Sequence, residues 1–251
     1  MRRKRKRKHP VRKFFISLLA LLLCLLFAVC AFFGVQGYQM YQKAIEEKPI
    51  SERVDEIRSM EGFTPYSELP ECYIEATISV EDRRFETHGG IDLIAIGRAA
   101  WTDIRERSFV EGGSTITQQL VKNLLFTQEK KLERKAAEVF AALEMEKEYT
   151  KEEIFELYAN TIYFGSGYYG VYQASWGYFE KEPSELTDYE CVMLAGIPNA
   201  PSAYSPDSNT ELAKQRMNHV LDSMVQNHII TQEEAEQIKS ENDTEIFQYS
   251  S

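Results

Sequence analysis

The stretch that decides the fold is Glu71-Cys72-Tyr73-Ile74-Glu75-Ala76-Thr77-Ile78-Ser79-Val80-Glu81-Asp82-Arg83-Arg84-Phe85. Set at 100° per residue, Ile74, Ile78 and Phe85 form one apolar stripe of a helix, and Glu81 falls inside it while Asp82 does not. A carboxylate on the buried face of a helix loses water, which raises its pKa and suits it to accept a proton near neutral pH. The same position also suits a glutamate that reaches solvent or pairs with Arg83 or Arg84, and helix geometry does not choose between the two. His88, just beyond, is placed either to orient a neighbour or to cap the turn before Gly89-Gly90.

Outward from this helix the pattern stays helical, with no sustained strand-type alternation. Three capping boxes mark helix starts at Thr150–Glu153, Thr187–Glu190 and Thr231–Glu234. Breaks fall at Gly89-Gly90, Gly112-Gly113, the loop from Gly165 to Gly170, and the run from Pro198 to Pro206. The expected fold class is mainly α.

Charge divides the chain. The net charge is -10, yet residues 1–13 carry nine Lys/Arg and no acid, leaving 20 basic against 39 acidic residues in the remainder. So acidic a body argues against nucleic acid as a partner, because neutralising phosphates needs a broad basic surface. Phe14 to Phe33 is a run of 20 uncharged residues, the length of a helix crossing a hydrocarbon core of roughly 30 Å. Ala28-Val29-Cys30 is a poor match to a small-residue cleavage site, so a retained anchor is expected rather than a cleaved leader. The excess of Lys/Arg before it places residues 1–13 in the cytoplasm and the rest outside. The expected organisation is a basic tail (1–13), a transmembrane signal-anchor helix (14–35), a polar helical stalk (36–60), a globular domain (61–230) and a C-terminal helix and tail (231–251). Cys24 and Cys30 lie in the anchor; an outer compartment permits a disulfide between Cys72 and Cys191, and no C-x-x-C supports a zinc site.

Two further segments concentrate polar chemistry. Gly112-Gly113-Ser114-Thr115 is a loop feeding a helix N-terminus, able to receive an anionic or hydroxyl-rich ligand. In the helix that follows, Ile116, Leu120, Val121, Leu124 and Leu125 take one half. Thr115, Gln118, Gln119, Lys122 and Asn123 take the other, a face rich in directional hydrogen bonds with little charge that suits a sugar or amide, or an ordinary exposed surface. From about Thr127 another helix aligns Lys131, Arg134, Lys135 and Glu138 at i, i+3, i+4, i+7, either a solvated ion-pair face or a cationic cluster for a phosphorylated ligand.

The run Glu81-Asp82-Arg83-Arg84-Phe85-Glu86-Thr87-His88-Gly89-Gly90-Ile91, the run from Gly112 to Asn123, and Arg134-Lys135-Ala136-Ala137-Glu138 closely resemble the first three motifs of the family 51 glycosyltransferases. These are the peptidoglycan polymerases found alone or fused to penicillin-binding transpeptidases. The resemblance continues through Tyr149 to Asn160 and ends near Gln215 to Leu221, with Ala159 and Gln215 as departures. It implies a lysozyme-like α-helical domain and an inverting transfer that polymerises lipid II into β-1,4-linked glycan. The implied catalytic pair is Glu81 as general base and Glu138 at the leaving-group side. Lys122, Arg134 and Lys135 would contact the pyrophosphate; Ser114, Thr115, Gln118, Gln119 and Asn123 would hold substrate oxygens; Asp82, Phe85, His88 and Arg98 would shape the cleft. The resemblance leaves room for a divalent cation, Mg or Mn, with no legible ligand set, and calls for no organic cofactor. Its implied partners are the lipid-linked substrate, the bilayer and other cell-wall enzymes such as transpeptidases. With no S-x-x-K and no K-T-G motif, a stand-alone polymerase without transpeptidase activity is expected, on the outer side of the cell membrane.

Overall fold

The structure, a computed structural model, describes residues 10–106, 113–126 and 132–241. The basic head up to His9, Gly112, Thr127, Lys131 and the tail from residue 242 lie outside the described residues.

Helix α1 (Pro10–Glu47) is continuous through the expected anchor and well into the expected stalk. From Lys13 it is long and apolar enough to cross a membrane, and its most apolar window buries nothing against the protein. A helix apolar on every face and covered by nothing is suited to lipid. Its last turns behave differently. Tyr41 and Ala44 are buried, and Tyr38 and Tyr41 pack on Phe140 with ring centroids 5.3 and 6.3 Å away. Helix α2 (Ile50–Arg58) buries Ile50, Val54 and Ile57 at i, i+4, i+7. Arg53 of α2 donates to the carbonyls of Ala44 and Lys48 at the end of α1 and to that of Leu124 near the end of the helix over 116–125, satisfying groups that helix ends leave open. Residues 36–60 are therefore no free stalk: they are built into the core.

Helix α3 (Glu71–Glu81) stops short of the expected Phe85, because Asp82 leaves helical geometry at φ -157° and Phe85–Thr87 forms a separate 3-10 turn. Its buried residues are Tyr73, Ala76, Thr77 and Ser79, while Ile74 and Ile78 pack only partly. The Glu81 side chain is 8% exposed. Asp82, expected off the buried stripe, is also buried, since the backbone has turned inward.

Helix α4 (Leu93–Glu106) starts on Asp92, whose Oδ1 accepts the N–H groups of Ile94 and Ala95 at 2.8 Å each. The Arg84 guanidinium clamps the same carboxylate and holds its pKa well below the usual range. Helices α5 (Ile116–Leu125), α6 (Leu132–Glu148), α7 (Lys151–Thr161) and α8 (Gly170–Phe179) follow. Then come α9 (Asp188–Gly196), the short α10 (Pro201–Tyr204), α11 (Thr210–Gln226) and α12 (Gln232–Ser240). The boxes at Thr150, Thr187 and Thr231 start α7, α9 and α12, as the sequence predicts. Among the described residues the only β pairing is two isolated bridges, so the mainly α expectation holds.

Two apolar clusters share α3 and α9. The larger is aromatic, with Tyr73, Phe85, Phe155 and Tyr158 fully buried. The smaller joins Ala76 of α3 to Val192, Val220, Leu221 and Met224, and to Ala235 and Ile238 of α12. The expected C-terminal helix is α12, and it packs into the domain through Ala235 and Ile238. Cys72 and Cys191 are free thiols that lie beside each other across α3 and α9.

Gly37 is where α1 crosses α6 closely. A Cβ there would stand 2.5 Å from the Ala136 methyl and 2.8 Å from the Ala137 backbone nitrogen. Gly37→Val is expected to destabilise the domain by about 1–3 kcal/mol, read as a lowered melting temperature in detergent micelles.

Candidate active site

Asp82 organises the site. Its Oδ2 accepts the Ile116 N–H at 3.0 Å, and both its oxygens lie 2.9 Å from His88 Nε2. One carboxylate thus ties the end of α3 to the start of α5. This arrangement assigns the His88 proton to Nε2. Behind it, Lys151 Nζ donates to the His88 carbonyl at 2.7 Å and to Glu146 Oε1 at 2.8 Å, and sits 4.4 Å over the Phe85 ring. Phe85 and His88 therefore support the site from behind, outside the cavity wall. Lys151 in this role was missed from sequence; a lysine in the first turn of a boxed helix was the available signal.

Glu81 is held in front. Gln119 Nε2 donates to its Oε2 at 2.8 Å, while Arg216 Nη2 stands 3.5 Å from Oε1, which no hydrogen-bond donor reaches. Burial raises the Glu81 pKa; the Gln119 hydrogen bond and the Arg216 charge oppose that, Asp82 adds to it, and Lys122 opposes it more weakly. One oxygen oriented and the other without a donor is the state a proton acceptor needs.

A cavity of about 640 Å³ opens on Glu81. Of the residues expected at the site, Glu81, Asp82, Arg98, Ser114, Thr115, Gln119 and Lys122 line it. Gln118 does not. It is buried, and its amide oxygen accepts the Thr115 N–H while Thr115 Oγ1 accepts the Gln118 N–H. This is a fourth capping box, at the start of α5, so the polar face read from the sequence is partly a helix start. Asn123 is half-buried next to Lys122 and outside the wall.

The cations gather around Glu138, whose side chain is 1% exposed. Arg134 Nε lies 3.0 Å from one carboxylate oxygen and Lys135 Nζ 2.8 Å from the other, and Lys135 also donates to Ser114 Oγ at 2.8 Å. Burial lowers the Lys122 pKa, and Glu138 is the strongest influence in the opposite direction. Arg134, Lys135 and Glu138 stand outside the cavity wall and bear on it through Ser114 and Lys122. Among the described residues no three His, Cys, Asp or Glu side chains group as a metal site, and of the carboxylates lining the cavity Glu81 faces Arg216, Asp82 faces His88 and Asp92 faces Arg84.

No residue of α11 was among the expected site residues, although Arg216 and His219 lie in the last matching segment, Gln215 to Leu221. Arg216, His219, Ser223 and Gln226 of α11 line the cavity, with Asn227 beyond. A polar stripe at i, i+3, i+7, i+10 was the signal in the sequence.

Two tests follow from the Glu81 environment. A carboxyl whose folded pKa is raised adds stability below its unfolded pKa and loses it as pH rises through the folded value. Glu81→Gln should therefore raise the melting temperature at pH 8, with the gain vanishing below about pH 4, the ordinary glutamate range. Arg216→Met should raise the Glu81 pKa further and displace the acid limb of any Glu81-dependent rate to higher pH.

Residues 47–225 match the family model described as Transglycosylase. Penicillin-binding protein 1F of Bacillus subtilis (strain 168) is 39% identical over 239 residues, 91% of this chain and 34% of that one. Penicillin-binding protein 1A of Aquifex aeolicus (strain VF5) is 43% identical over 194 residues, 74% of this chain and 27% of that one. Penicillin-binding protein 1A of Rickettsia prowazekii (strain Madrid E) is 41% identical over 199 residues, 78% of this chain and 24% of that one. The chain spans between a quarter and a third of the length of these curated relatives. With most of its length matched and a carboxylate set between polar and cationic walls, this chain belongs to the Transglycosylase family of the class A penicillin-binding proteins.

Proposed function

We propose that this chain polymerises lipid II, taking the growing glycan on its polyprenyl diphosphate as donor and the 4-hydroxyl of a new lipid-linked disaccharide as acceptor. The observation that carries the reading is Glu81, buried at the cavity, with Oε2 fixed by Gln119 and Oε1 without a donor. Glu81 takes the acceptor hydroxyl proton as that oxygen bonds to the donor's anomeric carbon. The bond from that carbon to the diphosphate breaks, and the anomeric configuration inverts. Negative charge then grows on the departing diphosphate, where Lys122, Arg134 and Lys135 stabilise it. Glu138 works at this side by holding two of those cations in place. A divalent cation, Mg or Mn, belongs to this reading only as a counter-ion carried by the diphosphate.

The membrane fits the same substrate. Besides α1, helix α4 exposes Leu93, Ile94 and Trp101, and it also carries Arg98 into the cavity. An apolar face beside a polar cavity suits an enzyme that meets polyprenyl chains at a bilayer surface. The Lys/Arg-rich head sets the orientation, with the N-terminus cytoplasmic and the domain outside. Transpeptidases that cross-link the product are the expected protein partners.

The test is polymerisation of labelled lipid II by the purified protein in detergent, beside Glu81→Gln. A loss of about 10²–10⁴-fold is expected for the variant. Full activity in Glu81→Gln removes Glu81 from the reaction. Cleavage of soluble glycan with no polymer formed makes the chain a hydrolase instead.

A further inference from the structure

A second cavity, of about 240 Å³, shares no lining residue with the one at Glu81. Met60 and Glu61 form one side and Tyr169, Tyr172 and Gln173 the other, above the buried Asn160. Asn160 fixes the floor, because its amide pairs with both the N–H and the carbonyl of Thr64 at 2.8 Å. The rings are held as firmly. Tyr172 lies against bare backbone at Gly62, where an added Cβ would stand 2.3 Å from the ring, and Tyr169 packs on Tyr163 with centroids 4.7 Å apart. Helix α8 continues the surface beyond the cavity. Its buried residues are Gly170, Val171, Ala174 and Ser175, so at 100° per residue Tyr169, Tyr172, Gln173 and Trp176 share the outer face. Tyr169 is 59% exposed and Trp176 43%, and they stand about 10 Å apart along the helix.

We infer that this face of α8 and the cavity beside it bind a β-1,4-linked amino-sugar glycan, at a place separate from the reaction. That such a glycan is the chain's own product rests on the polymerase reading; the recognition chemistry does not. A pyranose ring has a face of C–H groups and a rim of hydroxyls and acetamido groups. It is matched by exposed aromatic rings with hydrogen-bonding groups at their edges, and α8 presents both. Two ring faces about 10 Å apart suit successive units of an extended strand. Between them Gln173 accepts the Tyr169 N–H at 3.0 Å, which leaves its NH2 group to donate outward. An exposed cluster of rings on a soluble face otherwise marks a protein or membrane contact. Charge argues against the membrane. The cavity lining carries Glu61 and no Lys or Arg, and Glu180 is exposed at the end of α8, an acidic border that repels anionic headgroups and leaves a neutral sugar undisturbed.

The chain has two tryptophans, Trp101 and Trp176, so Trp101→Phe makes Trp176 the sole fluorescent reporter. The full chain carrying that change, in lipid nanodiscs, is titrated with lipid-free, uncross-linked peptidoglycan strands. A saturable change in Trp176 emission is expected, and an emission that never changes overturns the site. Brominated lipid in the disc is expected to leave Trp176 unquenched; quenching makes this face a membrane surface and overturns the site. Calorimetric titration of Tyr169→Ala/Trp176→Ala with the same strands should give a Kd raised about tenfold over wild type, the loss of two ring faces. An equal Kd in variant and wild type overturns the site. The double variant also gives up the Tyr163 contact; should it not fold, the Trp176 titration decides alone. None of these measurements requires turnover. Wild-type protein that makes no polymer from lipid II therefore overturns the polymerase reading, while strand binding at Trp176 stands or falls by the titration.

Discussion

The Asp82 carboxylate is the constraint on which the site depends. It closes α3, receives the first N–H of α5, and grips His88 with both oxygens. An N-terminal N–H of a helix has no partner inside that helix, so a buried carboxylate there gains a charge-assisted bond and the favourable end of the helix dipole. The gain is shared by two elements. Glu81 is the next residue back, so fixing Asp82 fixes where Glu81 emerges, and Gln119 one turn into α5 is carried into reach of its Oε2. Asp82 thereby sets the separation of the proton acceptor from the helix that brings Lys122.

Glu81 and Glu138 are both buried carboxylates, and they differ in the number of cations beside them. A buried carboxylate needs opposite charge or hydrogen bonds, or its pKa rises. Glu138 faces two cations, with Lys135 donating to Oε2 and the Arg134 guanidinium 3.0 Å from Oε1. It is a keystone for positive charge, and removing it would set three cations against one another. Glu81 is left under-compensated, with one hydrogen bond and a guanidinium at 3.5 Å. In a body with a large acidic excess, this is the place where positive charge is concentrated and one carboxylate is kept basic.

Legibility followed the range of the interactions. Thr150, Thr187 and Thr231 were readable because a capping box lies within four residues of chain. The box at Thr115 obeys the same rule, yet it sat inside a motif whose glutamines resembled a ligand-binding face. Only the fold separates Gln118, spent on its own helix start, from Gln119, which reaches Glu81. Helix periodicity put Glu81 on a stripe with Ile74 and Ile78, which pack only partly, whereas the helix buries Tyr73, Ala76 and Thr77 and Glu81 is buried at its end. The burial of Asp82 was not legible, because it depends on the chain leaving the helix at that residue. Residues 36–60 read as a polar stalk because their apolar positions are sparse, and they are buried by partners about 70–100 residues away, such as Phe140 and Leu124. The α11 stripe reaches Glu81 only because α11 packs on α3, with Arg216 beside Glu81 and Asn227 bound to the Ser79 carbonyl, contacts about 135–150 residues apart in the chain.

Helix α6 has two faces in use. Arg134, Lys135 and Glu138 cluster behind Ser114, while Ala136 and Phe140 pack against α1. The close crossing at Gly37 comes four residues after Phe33, where the strongly apolar run gives way to Gly34-Val35-Gln36. At 1.5 Å per residue that is about 6 Å along α1. The cationic cluster is therefore tied, through one short helix crossing, to a level just beyond the apolar segment. On the proposed reading, a diphosphate joined to a polyprenyl chain would lie at that same level, with its tail in hydrocarbon and its charge in the headgroup layer. The α1–α6 contact would then set the height at which the cations are presented to it.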